Sequence, residues 1–285
     1  MSAAVRQAPG MTRRLLSEPR SAAGVVLVAL VVVAILLGPE LLPYAPDVPD
    51  FADPLAPPGA PHWLGTDDLG RDELARVLQG GRVSLLVGLA SVGGALGIGA
   101  PLGLASGFFG GLFERVAMRC MDVLLAFPGI LLALGIAAAL GASARNAALA
   151  IALVNLPVFA RLGYAQALSL RAREYVEGAR AIGRSEATIL WRHVMPNALP
   201  PLLVQASLTL AASIITESYL SFLGLGVQPP TPTWGNMLHD AIGFLDQAEW
   251  LAWFPGLAIF ITVLGCNLLG DGLRDRLDPR DRLQG

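Results

Sequence analysis

Residues 83–108 read VSLLVGLASVGGALGIGAPLGLASGF, a run without a single charged side chain. At 1.5 Å per residue a helix needs about 20 residues to cross about 30 Å of hydrocarbon, and this run is long enough. Ser91, Ala95, Gly99, Gly103, Gly107 and Gly111 recur every four residues along one helical face. Small residues in that arrangement let helix backbones approach closely, which matters in lipid because the tails give helices no hydrophobic incentive to associate. Gly99, Gly103 and Gly107 are therefore assigned to helix packing, which makes this an interior helix of a bundle.

The rest of the chain fits the same solvent. Hydrophobic residues make up 54%, charged ones only 15%, and the mean hydropathy is +0.59, a composition that suits a bilayer and not a soluble surface. Five further charge-poor runs stand out: 21–37, one within 123–144, one within 146–168 that carries Arg161 near one end, 201–220 and 250–269. The first is too long and too β-branched for a cleaved leader and has no small-x-small site after it, so it reads as an uncleaved anchor. The fold class is all-α, a polytopic membrane protein with six transmembrane helices.

Arginine placement orients the bundle, because cytoplasmic loops retain basic residues. With the N-terminus inside, Arg6, Arg13, Arg14, Arg20, Arg115, Arg119, Arg161, Arg171, Arg173, Arg180, Arg184, Arg192, Arg274, Arg276, Arg280 and Arg282 all fall on the cytoplasmic side. Only Arg71, Arg76, Arg82 and Arg145 fall outside. Both termini are expected in the cytoplasm.

All 20 basic residues are Arg, and net charge is −2, so no basic tract points to nucleic acid. Without Lys the chain lacks the phosphate-binding lysine of a Walker A loop and any Schiff-base or Ser-Lys chemistry. Cys120 and Cys266 read as small hydrophobes in apolar surroundings. His62, His193 and His239 are scattered, with no His-Glu-x-x-His and no Gly-x-Ser-x-Gly, so neither a catalytic site nor a metal site is expected.

Between the first two spans, Pro39, Pro43, Pro46, Pro49, Pro54, Pro57, Pro58 and Pro61 rule out regular structure and give an extended outer arm. After it, Thr66-Asp67-Asp68 offers N-cap side chains for a short helix over about 69–78, polar enough for the membrane surface; a plain linker is the alternative.

The polar stretch 171–197 reads RAREYVEGARAIGRSEATILWRHVMPN. One helical segment reaches Gly183, the chain turns there, and Ser185 N-caps a second helix with Thr188 in its first turn. Ala179 and Gly183, four apart, are expected to form a small notch on one helix face, flanked by charges able to pair with another protein. Glu177-Gly178-Ala179, then Gly183, then Met195-Pro196 resemble the EAA loop of ABC importer permeases, whose pattern is Glu-Ala-Ala, three residues, Gly, nine residues, a hydrophobic residue, one residue, Leu-Pro. This chain has Gly178 for the first Ala, His193 for the hydrophobic residue and Met195 for Leu. Two more stretches, LGTDDLGRD at 64–72 with GRVSL at 81–85 and TESYLSFLGLGVQPPTPTWGNM at 216–237, together with GDGLRD at 270–275, are similar to the second permease subunit of the dipeptide/oligopeptide/nickel importers.

The resemblance implies a type I ABC importer permease fold that forms half of a translocation path for peptides or a related solute such as nickel. It implies no enzymatic activity and no cofactor in this chain, ATP and Mg being held by partner ATPase subunits. The implied partners are a homologous second permease, two cytoplasmic ABC ATPase subunits or domains, an extracytoplasmic binding protein and the lipid bilayer. Glu177, Gly178, Ala179, Gly183 and Pro196 would form the ATPase-coupling loop. The expected division is an N-terminal region with first span and arm at 1–80, the permease domain at 81–273 and a cytoplasmic tail at 274–285.

Glu217, near the outer end of the fifth span, is a candidate for the translocation path, since a carboxylate there costs about 2–3 kcal/mol unless paired or wetted; hydrogen bonding within the bundle is the other reading. A proton-coupled transporter would need several intramembrane carboxylates or histidines, and a polytopic enzyme a nucleophile and base; only Glu217 offers itself.

Overall fold

The computed structural model describes residues 19–277; Arg6, Arg13, Arg14, Arg280 and Arg282, and the end of the expected tail, lie outside the described residues. Every described element is helical. Among the described residues five helices are long and apolar enough to span a membrane, and a sixth span results if one sharply bent pair counts as one.

The first helix, α1 (Pro19–Leu41), carries Pro39 inside its last turn. Proline has no N–H, so the carbonyl of Ile35 loses its helical donor. Arg82, from the next span, replaces it: its Nε donates to the Ile35 oxygen at 2.6 Å, a second guanidinium nitrogen donates to Leu36 O, and Glu40 accepts at 3.2 Å. Arg82 thereby satisfies backbone carbonyls that lipid could not.

The second helix, α2 (Glu73–Phe109), corrects the expected short helix over 69–78. It starts later, capped by Asp72, whose carboxylate accepts from Ala75 N at 2.8 Å, and it continues unbroken into the second span. The reason lies in Gly70, whose φ of +75° no right-handed helix accommodates. Residues 66–72 form a closed loop instead, bridged between Thr66 and Asp72. Asp67, expected as a cap, lies inside that loop and accepts from the Leu69 and Arg71 amides, both at 2.9 Å. The expected division between residues 80 and 81 falls inside this helix.

The region of the expected third span also differs from expectation. It is divided between α3 (Gly111–Leu125) and α4 (Gly129–Leu140), which meet at a bend of 93°. Pro128 fixes its own φ at −58° and disfavours helical backbone at Phe127, so the helix ends where hydropathy alone shows a continuous run.

Helix α5 (Ala144–Arg171) is N-capped by Ser143. It is followed by α6 (Glu174–Ala181), α7 (Glu186–Ile189), a π-helical turn at Leu190–Val194 and α8 (Met195–Phe222). A short helix, α9 (Trp234–Ala241), opens with a Thr233/Asn236 capping box, and α10 (Trp250–Leu277) completes the bundle.

At the centre of the bundle, α2 crosses α5 through the small-residue stripe. A Cβ on Gly99 would lie 2.6 Å from the carbonyl oxygen of Leu156, one on Gly107 2.5 Å from that of Tyr164, and one on Gly103 would overlap the Ala160 carbonyl. Ala160 and Ala167 are fully buried on the facing helix. Arg171 closes the crossing, its guanidinium donating at 3.0 Å to Gly107 O, one of the last carbonyls of α2. With 37 residues, α2 is about 55 Å long. It separates two poles, one holding α6 and α7, the other the arm and α9.

Candidate functional site

At the pole beyond Phe108, α6 and α7 form the expected two-helix knob. Helix α6 ends in a Schellman arrangement: the Gly183 amide donates to Arg180 O at 2.9 Å and the Arg184 amide to Ala179 O at 3.1 Å. This closure places Gly183 in the left-handed region, at φ +77°. Nothing lies within 4 Å of where its Cβ would be, so backbone conformation and not space requires glycine here. Ser185 then accepts from Thr188 N at 3.4 Å to open α7.

Arg180 and Glu186 clamp the turn from either side with two hydrogen bonds at 2.8 and 3.0 Å. The same guanidinium stands 5.6 Å over the Phe108 ring. Beneath it, Val176, Ala179, Ile189, Leu190 and Val194 are buried in one cluster with Phe108 and Ala198. The knob is thus fixed on the ends of α2 and α8 instead of hanging from flexible chain.

That anchorage corrects one expectation. Ala179 and Gly183 do not form an outward notch, because Ala179, 6% exposed, faces its own chain's core and Gly183 lies past the helix end. Glu177, Gly178 and Gly183 are the exposed members of the motif, and Pro196 is exposed at the second residue of α8. Sequence reasoning missed Tyr175, Ile182 and Trp191, which are 43%, 75% and 51% exposed. Three large apolar residues within a charged stretch were the available signal. Exposed large apolar side chains among exposed charges are a composition suited to protein recognition.

Glu217 is not exposed at all. Its Oε1 accepts from Ser221 Oγ at 2.7 Å, one turn along α8. Gly235 at the start of α9 packs so closely on this turn that a Cβ there would lie 2.8 Å from that of Ser221. The buried carboxylate lies on the turn of α8 against which α9 packs. Among the described residues no group of three or more His, Cys, Asp or Glu could hold a metal ion.

Comparison with known proteins gives this geometry a context. The family model of the binding-protein-dependent transport system inner membrane component matches residues 99–282. The dipeptide transport system permease protein DppC of Alkalihalophilus pseudofirmus is 48% identical over 78% of this chain and 73% of that protein. The glutathione transport system permease protein GsiD of Pectobacterium atrosepticum is 44% identical over 94% and 89%. The probable D,D-dipeptide transport system permease protein DdpC of Escherichia coli is 41% identical over 93% and 89%. Among solved structures, a chain of the MetNI methionine ABC transporter in an inward-facing conformation superposes with a TM-score of 0.58 at 18% identity, covering 71% of this chain and 96% of its own; that likeness speaks for the fold.

Proposed function

The chain belongs to the family of inner membrane components of binding-protein-dependent transport systems, and on that premise we propose that it imports di- or oligopeptides or a related small solute with ATP hydrolysed by a separate subunit. The relatives named for dipeptide, glutathione and D,D-dipeptide support a peptide-like cargo. In this reading a second permease completes the path, two ATPase subunits hold ATP and Mg, and an extracytoplasmic binding protein delivers the cargo. The pole with α6 and α7 faces the cytoplasm, which the arginines of the described part, Arg115, Arg119, Arg171, Arg173, Arg180, Arg184 and Arg192, favour.

The observation that carries the proposal is the rigid knob at Gly183. Closure of the ATPase subunits has to move the spans, and a loop transmits force only if its own contacts do not give way first. The buried Val176, Ala179 and Ile189 and the Arg180–Glu186 clamp tie the exposed surface of Glu177 and Gly178 to the ends of α2 and α8. Those residues form no covalent bonds; they hand on a displacement that alternately opens the path to either side.

Substitution Gly183→Trp tests this. The chain should still insert, since the position lies outside every span, while ATPase co-purification and ATP-dependent uptake fall to background. Gly183→Asn, which tolerates positive φ, should retain a substantial part of uptake. Normal uptake with Trp would defeat the coupling assignment, and loss of the chain from the membrane would show a folding role instead.

A further inference from the structure

The opposite pole carries an unexplained charge pattern. Asp47, Asp50, Asp53, Asp240, Asp246 and Glu249 are all exposed there, against one exposed arginine, Arg145, among the described residues. The topology rule explains why arginines are scarce outside, but acidic residues contribute little to it, so the excess of acids needs another cause.

Half of these six acids sit on one fixed ridge. Residues 47–53 read DVPDFAD, all exposed, with Val48 at 62% and Phe51 at 74%. The ridge is held at both ends: the Asp50 amide donates to Leu69 O at 3.0 Å, Thr66 Oγ1 donates to Asp53 O at 2.7 Å, and Arg76 reaches back to Pro46 O at 3.2 Å. Leu69 in turn lines a solvent-open cleft of about 290 Å³ in which Asp68 and Asp240 are balanced by Arg71 and Arg76, so the unpaired acidic surface is that of the ridge itself.

Lipid does not cover this surface. The three carboxylates of the ridge would be costly in hydrocarbon, and residues 47–53 lie between α1 and α2, outside both helices apolar enough to span. An obligate partner does not fit either, because permanent interfaces are depleted of charge at their centre. Exposed charge interleaved with a few apolar anchors suits a partner that is steered in, docks and leaves.

We propose that the ridge at Asp47–Asp53 is the docking surface for a basic, apolar-centred lobe of the extracytoplasmic binding protein. The proposal rests on the function given above and adds where on this chain the delivery protein lands and what chemistry it presents.

The test uses the assembled transporter in lipid nanodiscs and the cognate binding protein loaded with peptide, with ATPase stimulation read against binding-protein concentration at several salt concentrations. For wild type the half-saturating concentration should rise with salt. The pair Asp47→Lys and Asp53→Lys should raise it at least about fivefold at low salt, Asp47→Asn with Asp53→Asn less, and both should converge on wild type at high salt. Phe51→Ala should raise it at every salt concentration. Unchanged half-saturation in all variants would overturn the proposal, as would loss of the second permease from the variant complex, which would make the ridge a permanent interface. Failure of the wild-type complex to respond to the binding protein at all would overturn the transport reading itself.

Discussion

At Gly103 one methyl group decides whether α2 and α5 meet. The Ala160 carbonyl occupies the place a Cβ would take, and across the same crossing a Cβ on Gly163 would lie 2.8 Å from Ala100 O. Neither backbone can withdraw without opening the crossing that buries Phe159, Ala160 and Ala167 completely. Gly103→Ala is therefore expected to cost about 1–3 kcal/mol by overpacking, and Gly103→Leu to prevent assembly of the bundle. Membrane abundance and the thermal midpoint of the purified complex measure both; normal values for Leu would mean that the stripe does not hold the helices. Gly183 needs glycine for the other reason, a backbone angle in open space, and so its substitution acts on the partner and not on the bundle. The motif residues around it were legible because the bend and its caps are local. The direction of Ala179 was not, since it is set by Phe108, far back in the sequence, against which the knob packs.

Among the elements, α1 and α2 are joined where proline breaks one of them. Arg82 supplies donors for Ile35 and Leu36 that Pro39 and the helix end remove. Arg82→Leu should leave those carbonyls unsatisfied near the hydrocarbon edge, a loss of about 1–3 kcal/mol that frays the last turn of α1. Hydrogen exchange at the Leu41 and Leu42 amides should then quicken by an order of magnitude or more, with Lys at position 82 intermediate; unchanged exchange would show that the cap is idle. Span positions followed from charge-free runs because lipid selects on composition alone. Boundaries set by distant contacts did not follow. The start of α2 depends on the loop that Gly70 forms against the backbone of Asp50, and the pairing of Asp67 with Arg71 at 2.6 Å and Arg76 at 3.2 Å inside that loop has no local signal. The break between α3 and α4 did have one, Phe127-Pro128, which a count of apolar residues passes over.

In the molecule as a whole, a single helix of about 55 Å links the acidic pole to the knob at the other end, so a partner at either end acts on the same bundle. In the proposed function, ATP spent at the knob's pole drives uptake of a cargo delivered at the acidic pole. Reconstitution of the complete transporter in vesicles, with ATP enclosed and a peptide-loaded binding protein outside, measures this directly through accumulation of labelled peptide. The account predicts accumulation that requires enclosed ATP and the external binding protein, disappears in the Gly183→Trp complex and is indifferent to an imposed proton gradient. Accumulation driven by the proton gradient without ATP would contradict it.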